Sequence, residues 1–101
     1  MQHKKKILIA DHSKKNRSLL SEILSPRYEL LRAATGVEAV AILGRHYADI
    51  AAVLLSLELP KISGFEVLSI MNRNHWLHNL PVIIISTEIV SDNLDRAYEL
   101  G

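Results

Sequence analysis

Ala51-Ala52-Val53-Leu54-Leu55-Ser56-Leu57-Glu58-Leu59-Pro60 is an unbroken apolar run that ends at a hydroxyl and passes into a loop closed by proline. A strand with one wet face alternates apolar and polar residues. An uninterrupted apolar run of this length is what a strand covered on both faces looks like, as in a parallel sheet. Open α/β sheets place their chemistry just past the carboxyl ends of their strands. Ser56 is therefore the first candidate functional residue of the chain.

The same pattern repeats on either side. Ile7-Leu8-Ile9-Ala10 is a second continuous apolar run, closed by Asp11-His12-Ser13, with Ser13 suited to cap a helix. That helix carries Leu19, Leu20, Ile23 and Leu24 on one expected inner face and stops at Ser25-Pro26. Tyr28 to Ala33 alternates more and suits a strand near an edge. Thr35 with Glu38 forms a capping box before a helix expected to bury Val37, Val40, Ala41 and Leu43. Gly64 opens a third helix with Phe65, Leu68 and Met71 inward. Pro81-Val82-Ile83-Ile84-Ile85-Ser86 is a fourth strand, and a last helix is expected from Ser91 to Leu100. Strands separated by helices imply right-handed crossovers and a doubly wound parallel sheet of α/β class. In such a sheet Val82–Ile85 is too apolar to be left bare at an edge. Self-association through that edge or through the last helix is the expected consequence.

Composition bounds the functions open to the chain. Its 101 residues suffice for one domain with one core. The net charge of +1 gives no global field to draw nucleic acid or a membrane surface, and Lys4-Lys5-Lys6 is a local exception at a strand entry. The absence of cysteine excludes disulfides, thiol catalysis and cysteine-based zinc sites. The basic N-terminus leads into a short strand and not a signal-peptide core, so the expected location is cytoplasmic.

Taken together, Ile7-Leu8-Ile9-Ala10-Asp11, Asn16-Arg17, Leu54-Leu55-Ser56-Leu57-Glu58-Leu59-Pro60 followed by Gly64, and Pro81 to Ser86 resemble the receiver domain of two-component response regulators. The resemblance runs from Lys6 to Gly101. It implies a flavodoxin-like sheet in strand order 2-1-3-4, one receiver domain over residues 1–101, and a fifth βα unit and its lysine that have no counterpart in this chain. It also implies site roles. Asp11 matches the first of two acidic residues that help to hold Mg²⁺, and His12 stands at the second. Ser56 stands at the phosphoacceptor aspartate. Glu58 lies where the family lends a backbone carbonyl to the metal, and Ser86 matches the switch hydroxyl.

The departures have direct consequences. A serine hydroxyl does not form the acyl phosphate that a carboxylate forms. Mg²⁺ wants anionic oxygens in octahedral array, and imidazole is a poor substitute. Metal binding is expected to be weak at best, through Asp11, with no cofactor. The implied role is a regulatory protein–protein module of phosphorelay signalling with a degenerate phosphorylation site, not an enzyme. Its partner would be a histidine kinase or an output domain of a larger chain, with no direct nucleic-acid or membrane contact.

Two other readings share these residues. One is an ordinary phosphorylated receiver carrying a substitution at position 56 and seen as a fragment. The other is a small flavodoxin-like enzyme or nucleotide binder, for which a ligand near Asp11 and Ser56 would be the sign. Asp11, His12 and Ser56 lack the nucleophile elbow and oriented base of a hydrolase triad. His75 and His78 make a metal pair without an evident third ligand.

Overall fold

A computed structural model describes residues 4–76 and 80–85. Seven elements alternate along the chain: β1 (Lys5–Ala10), α1 (Lys14–Leu24), β2 (Tyr28–Ala33), α2 (Gly36–His46), β3 (Ile50–Ser56), α3 (Gly64–Arg73) and β4 (Val82–Ile85). The strands form one sheet in order β2-β1-β3-β4, and every pairing is parallel. This is the flavodoxin-like arrangement expected above, with β2 at one edge.

Capping explains where the helices start. Ser13 Oγ accepts the N–H of Asn16 at 3.2 Å, and Thr35 Oγ1 accepts the N–H of Glu38 at 3.1 Å. The return arm of the expected capping box lands one residue early, because Glu38 Oε2 accepts the N–H of Ala34 at 2.7 Å. Ser63 caps α3 in the same way, through the N–H of Glu66 at 3.3 Å. At the far end of α3, the N–H of Trp76 reaches the carbonyl of Met71 and that of His75 reaches Asn72. This is a Schellman closure, with His75 in the left-handed position (φ 60°) that glycine usually fills. His75 thus has a structural setting at a helix end. His78, its partner in the considered metal pair, lies outside the described residues.

The core has two parts. One sheet face carries Leu8, Ala10, Val53 and Leu55, covered by Ala39 and Leu43 of α2 and Val67, Leu68 and Met71 of α3. Trp76 packs on this cluster and stacks on Tyr47 with ring centroids 5.8 Å apart. The other face carries Ile7, Ile9 and Leu54 beneath Leu20 and Leu24 of α1. A register shift opposite Lys6 and Ile7 makes Ala51 the extra residue of a bulge in β3. Ile50 and Val53 consequently serve the same cluster although they are three apart.

Three expected inner faces are redrawn. On α1 only Leu20 and Leu24 reach the core, whereas Leu19 and Ile23 are 54% and 65% exposed. α1 packs mainly on β1 and β2, and its Leu20 and Leu24 share a cluster with Leu54 of β3 and Ile85 of β4. On α2, Ala39 and Leu43 are buried and Val40 packs beside them, but Val37 and Ala41 are exposed. On α3, Val67 is buried with Leu68 and Met71, and Phe65 is only half-buried. In each case the apolar arc is wider than the surface the neighbouring elements cover.

Candidate functional site

The parallel arrangement brings the carboxyl ends of β1 and β3 side by side, with Ala10 paired to Leu55 and Ser56 paired to Ile85. A polar cavity of about 340 Å³ opens there, lined by Asp11, His12, Ser13, Asn16, Ser56, Glu58 and Ile85. Four of the five site residues expected from the sequence therefore meet in one place. The fifth, Ser86, lies outside the described residues, as does the helix expected from Ser91 to Leu100.

The β3 side of the cavity is held by close backbone packing. A Cβ on Gly36 would lie 1.8 Å from the carbonyl oxygen of Ile62, and one on Gly64 would lie 2.3 Å from that of Ser56. No side chain fits at either position. The two glycines also donate their N–H groups to the loop, Gly36 to Pro60 at 3.1 Å and Gly64 to Leu57 at 3.0 Å. The segment that carries Ser56 and Glu58 is thus pinned to the starts of α2 and α3. Ser56 Oγ accepts the N–H of Glu58 at 3.3 Å, a local turn bond of the kind serine makes.

The β1 side is held by side chains. Asp11 is buried; its Oδ1 accepts the N–H of Ser13 at 2.8 Å and its Oδ2 accepts Asn16 Nδ2 at 3.3 Å. Arg17 donates to the carbonyls of Asp11 and His12. His12 is exposed at the mouth. The sequence singled out Ser13 as a cap and Asn16-Arg17 as part of a motif, but it did not place Ser13 or Asn16 on the cavity wall. Both follow from the tightness of the β1–α1 turn, which curls the first helical residues back over Asp11.

Chemically the cavity is an anion-poor version of a carboxylate site. Asp11 and Glu58 supply carboxylates, His12 an imidazole and Ser56 a hydroxyl. Among the described residues no three His, Asp or Glu side chains are placed to hold one ion. Both oxygens of Asp11 receive a donor, Ser13 N–H on Oδ1 and Asn16 Nδ2 on Oδ2.

Comparison with known proteins gives this geometry a context. The family model of the response regulator receiver domain matches residues 7–101. A probable cyclic di-GMP phosphodiesterase of Vibrio cholerae is 32% identical over 95 residues, which make up 94% of this chain and 21% of the relative. The polar-differentiation response regulator DivK of Brucella ovis is 26% identical over 98 residues, 96% of this chain and 78% of DivK. Among solved structures, the phosphorylated cyanobacterial phytochrome response regulator RcpA matches with a TM-score of 0.86 and 32% identity, over 97% of this chain and 76% of that one. A chain of the CheX–CheY–BeF₃–Mg²⁺ complex from Borrelia burgdorferi matches with a TM-score of 0.83 and 31% identity, over 96% and 72%. The chain thus spans about a fifth of the phosphodiesterase and about three quarters of the others.

Proposed function

This chain belongs to the response regulator receiver domain family, and on that footing we propose that it is a receiver that works without an acyl phosphate at position 56. Receivers are signalling modules of two-component systems that meet kinases, phosphotransfer proteins or output domains. The reading for this chain is narrower: it acts through regulatory protein–protein contact, and the state of its pocket does not change with kinase activity.

One observation carries it. The side chain at the carboxyl end of β3, where the fold presents its acceptor, is a hydroxyl that already accepts the N–H of Glu58. Phosphoryl transfer relies on an aligned nucleophile and on neutralisation of charge on the transferred group. Ser56 offers no carboxylate to attack, and Asp11 with His12 offers a single anionic ligand at the metal position. Relatives solved in phosphorylated form or with beryllofluoride and Mg²⁺ share the fold. The partner in this reading is a histidine kinase or an output domain of a longer chain. The apolar edge Val82–Ile85 belongs to the reading as a self-association surface.

The test is direct. Incubation with acetyl phosphate and Mg²⁺ should leave the intact mass unchanged, and beryllofluoride with Mg²⁺ should leave the amide spectrum of the cavity residues unchanged. One acid-labile phosphate per chain, or shifts centred on Ser56, would overturn the proposal.

A further inference from the structure

The β1–α1 turn is held by a continuous polar chain that starts at the edge of the sheet. Arg32 of β2 donates its Nε–H to Ser21 Oγ at 2.9 Å, and the Ser21 hydroxyl in turn donates to the carbonyl of Arg17 at 2.6 Å. Ser21 is the buried residue of α1, a polar side chain beside the leucines that meet the sheet. The Arg17 guanidinium then closes the turn: the same Nη1 donates to the carbonyl of Asp11 at 2.5 Å and to that of His12 at 3.0 Å. Beyond it stands the Asp11 carboxylate, 5% exposed, with a backbone N–H on one oxygen and the Asn16 amide on the other. Among the described residues no buried side-chain nitrogen or oxygen is without a partner.

We propose that Asp11 is the anchor of the β1–α1 turn and not a metal ligand in waiting, and that Arg17 and Asn16 supply the structural role a bound cation would otherwise have there. The proposal deepens the functional reading above and shares its premise of family membership, but it does not depend on Ser56. The two roles for Asp11 differ in sign. A carboxylate reserved for a metal is held near other acidic groups and is short of donors, so its removal relieves repulsion in the metal-free protein. A buried carboxylate that receives a backbone N–H and an amide is committed to the fold, and its removal strands both donors. Arginine suits the clamp because its long, always-charged side chain sets one rigid nitrogen between the two carbonyls, where the flexible lysine chain holds its ammonium less firmly.

Thermal unfolding of the wild type, Asp11→Ala, Asp11→Asn and Arg17→Lys, each with and without millimolar Mg²⁺, tests this. Asp11→Ala is expected to lower Tm by roughly 4–8 °C, the size of a lost cap in a domain this small. Asp11→Asn should lose part of that, because its carbonyl oxygen still accepts one of the two donors. Arg17→Lys should also lower Tm, and Mg²⁺ should shift none of the four. A rise or no change in Tm for Asp11→Ala would overturn the proposal. So would a Mg²⁺ stabilisation of the wild type that disappears with Asp11. Should Asp11→Ala fail to fold, the sign of Asp11→Asn and the Mg²⁺ response of the wild type decide. An acid-labile phosphate would sink the functional reading and leave this one standing, so the two fail separately.

Discussion

The two faces of the sheet are made of equally apolar residues and differ in how they are covered. Under α2 and α3, Leu8, Val53, Leu55, Leu43, Val67 and Met71 are fully buried. On the other face α1 packs mainly on β1 and β2, and Ile83 of β4 is 54% exposed opposite the well-buried Leu54. Leu19 and Ile23 of α1 are exposed. Hydrophobicity alone therefore does not decide what is core; a neighbouring element does. Among the described residues, the closed face holds most of the fully buried side chains, and the other face keeps apolar side chains exposed at Leu19, Ile23 and Ile83.

That contrast can be broken by mutation. The largest effect is expected on the closed face: Leu43→Ala should destabilise by about 2–5 kcal/mol, because the cavity it leaves is enclosed by packed neighbours. Urea unfolding measures it, and a loss near zero would mean that α2 is not seated as described. A smaller effect of opposite sign is expected at the end of the same face. His75→Gly should raise stability by about 0.5–1 kcal/mol, since glycine accepts the left-handed backbone without a Cβ penalty. Destabilisation there would show that the imidazole makes contacts worth more than the strain. The smallest effect on folding is expected on the open face. Ile23→Ser should stay within about 0.5 kcal/mol, as exposed substitutions do. The same change should weaken self-association in sedimentation velocity. A wild-type chain that sediments as a monomer at all concentrations would show that the open face and the β4 edge are tolerated bare.

These residues also show what a single sequence can and cannot reveal. The β2 edge and the caps at Ser13 and Thr35 are legible because they follow from alternation and local hydrogen bonding, whereas the strand order came with the resemblance to receivers. Ser56 is legible from its place at a strand end, and Asp11, His12 and Glu58 are placed beside it by the resemblance to receivers. The exposure of Leu19, Ile23 and Val37 is not legible, because periodicity tells which residues share a side and not whether anything lies against it. The bulge at Ala51 leaves no mark in an all-apolar run. The clamp by Arg17 and the lining by Asn16 depend on the curl of one turn, which no spacing rule specifies. Ser63 was within reach, as a serine three residues before Glu66, but Gly64 is the more conspicuous start signal.

The contrast between a receiver's frame and this chain's pocket is tested most directly by Mg²⁺ affinity in four proteins: the wild type, His12→Asp, Ser56→Asp and the double variant. Titration calorimetry, or chemical shifts of the cavity amides, reads it. Ser56→Asp alone should gain little, because His12 still leaves the ion a ligand short. The double variant should bind more tightly than the sum of the single changes predicts, as coupled neighbours do. Millimolar or tighter Mg²⁺ binding by the wild type, or equal affinity in Ser56→Asp and the double variant, would contradict the assignment of His12 and Ser56 as the residues that set this pocket apart.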